Sequence, residues 1–239
     1  MKNFSKFCIY SLITIGVFFL VISCSKKTDD NNPSPAPNTV TDIDGNVYHT
    51  LAIGTQVWMV ENLKTTRLND GISIPLITDN TAWSKLSTPG YCWYNNDAAA
   101  YKKIYGALYN WHVVNTEKLA PTGWHVPTDA EWAILSAYLG GDLIAGGKMK
   151  SAGTIEAGTG LWYSPNSGAT NESGFTAFPS GTRVGSGPFD LMGRYGFWWS
   201  SSDYLTSKAW YWSLVFNYNS FGRGLSYELD GFSVRCLKN

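Results

Sequence analysis

The segment Gly123-Trp124-His125-Val126-Pro127-Thr128-Asp129-Ala130-Glu131-Trp132 constrains the fold most. Thr128 and Glu131 stand three apart at the head of an apolar stripe. That is the capping-box arrangement, in which each side chain satisfies the other residue's free backbone N–H. Asp129 adds negative charge at the positive helix end. Trp132, Leu135 and Leu139 then share one face, and Gly140-Gly141 ends the helix. A second helical spacing, through Tyr105, Leu108, Tyr109 and His112, predicts a helix near 104–115.

Strand patterns flank these helices. Asp44-Gly45 marks a tight turn, with Asp42 and Asn46 beside it. The trio Asp42, Asp44 and Asn46 invites a calcium reading, but the rest of an EF-hand loop is missing. Residues 47–53 and 56–60 read as a hairpin around Gly54-Thr55. Near the C-terminus, residues 197–201, 208–216, 225–229 and 232–237 read as strands, with Asp230-Gly231 as a hairpin turn between the last two. Trp210, Trp212 and Leu214 alternate with Tyr211, Ser213 and Val215, so both faces of that strand are apolar and it is expected at the centre of a sheet. Between these regions, residues 141–196 are rich in Gly, Asn and Pro, with a short helix expected near 148–150. Such a span predicts long ordered loops held by hydrogen bonds.

The first 39 residues follow different rules. Lys2 and Lys6 precede an apolar run from about Ile9 to Ile22, too short for an ordinary membrane span. The run ends in Val21-Ile22-Ser23-Cys24, which resembles a bacterial lipobox. This reading makes 1–23 a lipoprotein signal peptide and Cys24 the lipidated first residue of the mature chain, anchored more firmly than by one acyl chain. Residues 24–39 carry Pro33, Pro35 and Pro37 and no apolar periodicity. They are expected to be a disordered, extended tether reaching up to about 45 Å. The run Ser25-Lys26-Lys27-Thr28-Asp29-Asp30 resembles charged signals that send lipoproteins to the outer face of the outer membrane. The expected localisation is therefore the outer membrane, and the membrane is a partner through the lipid.

Residues 40–239 form one domain of a size that sustains a single core. The whole chain has 18 basic and 18 acidic residues. Removing 1–23 takes away Lys2 and Lys6 and no acid, leaving 16 basic and 18 acidic groups and a net charge of −2. Nucleic acid is not an expected partner of such a surface. The eleven Trp and fourteen Tyr suit a core and, secondarily, sugar-binding faces. Cys92 and Cys236 remain as the thiols of the mature domain after Cys24 is lipidated. In an oxidising compartment they permit one disulfide, with two separately buried thiols as the alternative.

Signals for catalysis are sparse. His49, His112 and His125 have no metal-binding spacing, and no cofactor is expected. There is no Gly-x-Ser-x-Gly elbow, and Ser200, Ser201 and Ser202 read as a strand end. Glu156, Glu172, Asp190 and Asp203 are the acids that would have to pair for glycoside hydrolysis, and nothing in their spacing pairs them. No catalytic residue is assigned.

A series of motifs runs in order along the domain: Asp44-Gly45-Asn46-x-Tyr48, Gln56-x-Trp58-Met59-x-Glu61-Asn62-Leu63 and Tyr105-Gly106-x-x-Tyr109-Asn110-Trp111. They continue through Pro121-x-Gly123-Trp124-His125-Val126-Pro127-x-Asp129-x-Glu131-Trp132, Trp198-Trp199-Ser200-Ser201 and Gly231-Phe232-Ser233-Val234-Arg235-Cys236. In these motifs the chain resembles the Fibrobacter succinogenes major paralogous domain family of bacterial secreted and lipid-anchored proteins. More remotely, the helix start and the terminal Gly-Phe-x-x-Arg are similar to formylglycine-generating-enzyme and C-type-lectin-like folds. That resemblance implies a compact α+β domain with two main helices, mixed but mostly antiparallel strands and long loops. The late Cys pair of the formylglycine enzymes is absent, and Trp199-Ser200-Ser201-Ser202-Asp203 lacks the lectin calcium pattern. Relatives carry a Cys before Pro-x-Gly-Trp where this chain has Ala120, so the partner of Cys236 is left open.

The expected function is that of an envelope-anchored, non-enzymatic binding domain for a glycan or a surface protein. A polysaccharide-acting enzyme and a purely structural envelope protein are the alternatives. Long ordered loops on compact domains carry function. The expected ligand-binding residues are therefore Trp162, Tyr163, Asn166, Asn171, Glu172 and Asp190, with the segment 91–97 as second choice.

Overall fold

The computed structural model describes residues 38–239. The signal peptide, Cys24 and most of the tether expected from the sequence lie outside the described residues. Strand β1 (Thr39–Thr41) begins one residue ahead of the expected domain boundary. It pairs antiparallel with β2 (Val47–Ile53) across the Asp44-Gly45 turn. Asp42 organises that turn, its Oδ1 accepting the N–H groups of Asp44 and Asn46, both at 2.9 Å. Strand β3 (Gln56–Met59) completes the expected hairpin.

Next come helix α1 (Asn80–Ser84), strand β4 (Tyr91–Cys92), a 3-10 turn at Tyr94–Asn96 and helix α2 (Ala98–Tyr105). Strand β5 (Leu108–Tyr109) and helix α3 (Trp111–Val114) follow. The helix expected over 104–115 is thus not formed. Helix α2 ends at Gly106, which has φ of 75° and packs so close to the Leu63 carbonyl that a Cβ would sit 2.7 Å from it. Leu108 and Tyr109 then pair with β4, and Asn110 starts α3 by accepting the Val113 N–H. Helical spacing of apolar residues was here produced by a strand between two short helices.

Strand β6 (Trp124–His125) leads to helix α4 (Asp129–Tyr138), where the capping box forms as expected. Thr128 Oγ1 accepts the Glu131 N–H at 3.2 Å, and Glu131 accepts the Thr128 N–H at 2.8 Å. Helix α5 (Ala145–Met149) and strands β7 (Thr182–Arg183) and β8 (Phe189–Asp190) are the elements of the loop-rich span. Strands β9 (Tyr195–Leu205), β10 (Lys208–Val215) and β11 (Phe221–Tyr227) form a three-stranded antiparallel sheet, with β10 in the middle. Strand β12 (Leu237–Lys238) inserts between β3 and β6 to complete a five-stranded sheet ordered β1-β2-β3-β12-β6.

The expected hairpin at Asp230-Gly231 is absent. Gly231 instead bridges Arg183, Phe232 bridges Tyr109, and Ser233 bridges Trp198. The C-terminal segment therefore threads between elements before pairing at Leu237. The whole is an α+β domain, mostly β, with five short helices among the described residues and antiparallel pairing between its strands.

Strand alternation explains where the core sits. Phe197, Trp199 and Ala209 enter one apolar cluster, together with Tyr48, Met59 and Tyr109. Trp198, Trp212 and Leu214 point the other way, into a second cluster with Trp58, Trp132 and Trp162. Successive residues of a strand face opposite sides. The same sheets therefore wall two cores, and this is where most of the Trp side chains are used. A third, smaller cluster holds Trp83, Cys92, Tyr94 and Leu108.

The expected disulfide is not formed: Cys92 and Cys236 are both free and buried. They belong to different clusters, Cys92 to the small one on β4 and Cys236 to the large one beside β12. Burial pushes the Cys92 thiol up to about 12 in spite of the nearby Arg183 guanidinium, and burial also raises Cys236. Both thiols act as small apolar core residues.

Candidate functional site

The loop-rich face does form a pocket, built from residues on four segments. Its volume is about 400 Å³, and Tyr94, Tyr101, Tyr163, Asn95, Asp190 and Arg194 line it, with Leu191 and Met192. A pocket of this size accommodates a small polar ligand or one or two units of a longer chain.

Local structure places each group. Tyr94 opens the 3-10 turn and is buried. Its ring lies 5.2 Å from Tyr101 on α2 and 5.3 Å from Phe189 on β8. Burial raises the Tyr94 hydroxyl above its ordinary value, although the Met192 N–H donates to it. Asn95 follows with φ of 51° and is exposed, so its amide stands at the rim. Asp190 ends β8, and its Oδ1 accepts the Leu191 N–H at 2.7 Å. Its other oxygen is left for solvent or a ligand.

Tyr163 closes the other side. Its N–H donates to the Gly193 carbonyl at 2.8 Å, and its ring lies over Gly193, where a Cβ would come within 2.7 Å of it. Gly193 has φ of 78°, so a side chain is excluded there by both space and backbone conformation. The Arg194 guanidinium sits 5.6 Å from the Tyr163 ring centre. Tyr163 remains 38% exposed, which leaves part of the ring open to the pocket.

Of the six residues expected to bind ligand, the structure brings Tyr163 and Asp190 together and separates the others. Trp162 is wholly buried, its indole N–H donating to the Ala177 carbonyl at 3.0 Å, so it anchors the loop. Asn166 is buried and donates to the carbonyls of Ser151 and Gly153 at 3.0 and 2.8 Å. Asn171 closes its own turn, accepting the Thr176 N–H at 2.8 Å and donating to the Thr176 hydroxyl at 3.0 Å. Glu172 is exposed and pairs with Lys148 at 3.1 Å, away from the pocket. These four side chains build the loops and do not line the pocket. Of the four acids considered for hydrolysis, Asp190 alone lines it.

The second-choice segment supplied Tyr94 and Asn95, so the two expected sites merge into one pocket. Sequence reasoning missed Tyr101 and Arg194. Tyr101 lies on an uninterrupted helix, and Arg194 lies in the span rich in Gly, Asn and Pro. Neither carried a signal that set it apart.

The three histidines serve the scaffold or lie elsewhere. His125 Nε2 is 2.9 Å from Glu131 and its Nδ1 is 2.7 Å from the Asn239 amide oxygen, which ties β6 to the start of α4 and to the chain end. His49 pairs with Glu61 on the surface at 2.6 Å. His112 faces Glu228 at 3.6 Å in a second concavity.

Fold and pocket together define an α+β domain, mostly β, that presents an aromatic and polar recess on its loop face. Residues 51–238 match the family model of the Fibrobacter succinogenes major domain, and the chain belongs to that family. The chain matches no curated protein and no solved structure.

Proposed function

We propose that this chain is an envelope-anchored lipoprotein whose domain is a non-enzymatic binding module for a glycan, held in the tyrosine pocket. The observation that carries the reading is the lining itself. The Tyr101 and Tyr163 rings offer faces for the C–H surface of a sugar, with buried Tyr94 closing the recess behind them, and Asn95, Asp190 and Arg194 offer an amide, a carboxylate and a guanidinium for its hydroxyls. Only one carboxylate lines the recess, whereas glycoside hydrolysis needs two, roughly 5–10 Å apart. Binding therefore accounts for the lining better than catalysis does.

The cellular setting rests on the Val21-Ile22-Ser23-Cys24 motif and the polar, Pro-rich stretch after it. A lipid on Cys24 would hold the domain at the outer membrane and present the loop face to polysaccharide or to surface proteins. At the level of architecture, we assign the domain to the C-type-lectin-like and formylglycine-generating-enzyme-like group. The support is the capped helix at Thr128 and the Gly231-Phe232-x-x-Arg235 ending, whose Arg235 is buried between Phe175 and Trp198.

A glycan array probed with the detergent-solubilised full chain tests the reading. Saturable binding is expected, and Tyr163→Ala and Asp190→Asn are each expected to weaken it about tenfold, or about 1.4 kcal/mol, with unchanged thermal unfolding. An array without any saturable hit, or folded variants that keep full affinity, would overturn the glycan assignment.

A further inference from the structure

A larger concavity of about 440 Å³ is separate from the tyrosine pocket, with no lining residue in common. Its apolar walls are Leu86, Val184, Tyr227 and Leu229. Val184 and Tyr227 are 38% and 60% exposed, so these walls are open to an incoming molecule. Within this apolar frame stand His112 from α3 and Glu228, the residue after β11.

The backbone fixes that pair. The Trp111 N–H donates to the Glu228 carbonyl at 2.8 Å, and the Glu228 N–H donates to the Ser207 carbonyl at 3.0 Å. Glu228 is thereby clamped between the first residue of α3 and the turn joining β9 to β10. Its Oε2 lies 3.6 Å from His112 Nδ1, with each side chain about a fifth exposed. That separation is too long for a hydrogen bond. A second carboxylate, Asp230, also borders the site, but its oxygens are engaged: Oδ1 accepts the Gly185 N–H at 2.6 Å and Oδ2 accepts the Ser226 hydroxyl. Glu228 is the carboxylate placed to meet an incoming donor. Beside the site, the Lys208 ammonium lies 5.1 Å from the Tyr227 ring centre, so that ring already faces one cation.

We propose that this concavity is a binding site for a small organic cation, a primary ammonium on an apolar body. The ammonium sits against Glu228 and His112, and the body packs on Leu86, Val184 and Leu229. Charge complementarity makes the choice. A ligand carboxylate would meet two acids. A neutral apolar ligand would cover the Glu228 carboxylate without giving it a partner, which is costly. An ammonium placed beside the pair, at hydrogen-bond distance from both atoms, donates to the Glu228 carboxylate and to His112 Nδ1 in the tautomer that carries its proton on Nε2.

Methyl-detected NMR of the full chain in detergent micelles tests this, read at the Leu86, Val184 and Leu229 methyls so that partition of probe into micelles does not count as binding. Phenethylammonium chloride is the probe, with 2-phenylethanol and phenylacetate as the neutral and anionic controls. Saturable shifts at these methyls are expected for the ammonium, with affinity at least tenfold weaker for either control. Glu228→Gln is expected to weaken the ammonium at least tenfold and to leave the alcohol unchanged. Val184→Trp, a change at an exposed wall that fills the site, is expected to abolish shifts at the two remaining leucines, and it serves as the test if Glu228→Gln fails to fold. Unshifted methyls with the ammonium, equal binding of either control, or an ammonium response that survives in the folded variants would each overturn the proposal. The glycan array bears on the tyrosine pocket alone, so the two readings fail separately.

Discussion

At the scale of single residues, the domain buries three cations against carbonyls and rings. Arg235 donates to the Asn62 amide oxygen at 2.8 Å and to the Phe175 carbonyl, with its guanidinium 4.2 Å from the Phe175 ring centre. Burial pulls it down to about 9. Arg183 donates to the carbonyls of Gly187, Ile77 and Thr78 and packs 4.4 Å from the Trp83 ring centre. Lys150 donates to the carbonyls of Val215 and Tyr218, and burial draws it down to about 8. Each cation ties together segments that lie far apart in the chain: Arg183 reaches Ile77, Lys150 reaches Val215 and Arg235 reaches Phe175. Asp44 shows the opposite balance. Its burial works against ionisation, but the Thr66 N–H at 2.5 Å, the Thr66 hydroxyl and the Arg67 guanidinium outweigh this and hold it at about 2. A carboxyl depressed in the folded state contributes stability above its unfolded value and loses it as pH falls toward the folded value. Asp44 is therefore expected to cost the domain roughly 2 kcal/mol between about pH 4 and pH 2. Urea unfolding of wild type and Asp44→Asn across that window checks this: the variant should be less stable at neutral pH and show a flatter acid limb. Parallel acid limbs would show that the carboxylate contributes nothing there.

At the scale of elements, α4 and β10 carry different kinds of information. The α4 start is closed within four residues by Thr128 and Glu131, and it is reinforced from outside by Ser202, whose hydroxyl accepts the Asp129 N–H at 3.0 Å. Thr128→Ala is expected to cost about 1 kcal/mol, the ordinary worth of an N-cap side chain, read as a lower urea midpoint at constant slope. An unchanged midpoint would mean that Glu131 and Ser202 hold the helix start without the cap. Strand β10 depends on distant partners. Its Trp212 indole donates to Asp129 Oδ1 at 2.9 Å and so pins the sheet to the first turn of α4. Its Tyr211 packs against the opposite core. The two-sided apolar pattern read from Trp210 to Val215 is matched by a strand that separates two clusters.

At the scale of the whole molecule, the two cores share their walls, so loosening one sheet exposes both. The tyrosine pocket forms where the 3-10 turn, α2, the Tyr163 loop and the segment after β8 meet on the loop face. The proposed tether and lipid would set only where that face is displayed. Cys24→Ala is expected to abolish metabolic labelling by palmitate and to move the protein from the membrane to the soluble fraction. Persistence of both label and membrane partition in that variant would remove the lipobox reading, without touching the pocket.

Local signals were legible because their partners lie within a few residues. The Thr128 cap, the turn at Asp44-Gly45 and the hairpin of β2 and β3 followed from spacing and residue type, while the central place of β10 followed from its two-sided apolar pattern, which reports burial on both faces without naming the partners. The helix expected over 104–115 failed for the complementary reason. Leu108 and Tyr109 satisfy a helical period, and only the presence of β4 alongside them makes them a strand. In the site, Tyr163 and Asp190 were legible as aromatic and acidic groups on long loops. Trp162 stands next to Tyr163 in the chain, yet Trp162 is sealed in the core and Tyr163 lines the pocket. No property of the two residue types foretells that division, because it is set by which ring the Ala177 carbonyl and the second core enclose. Cys92 and Cys236 are alike in this respect: composition left them as a pair, and the tertiary structure places them in separate clusters. Residue type and spacing set the elements whose hydrogen bonds close locally, while burial, which depends on what the rest of the chain brings alongside, set the site.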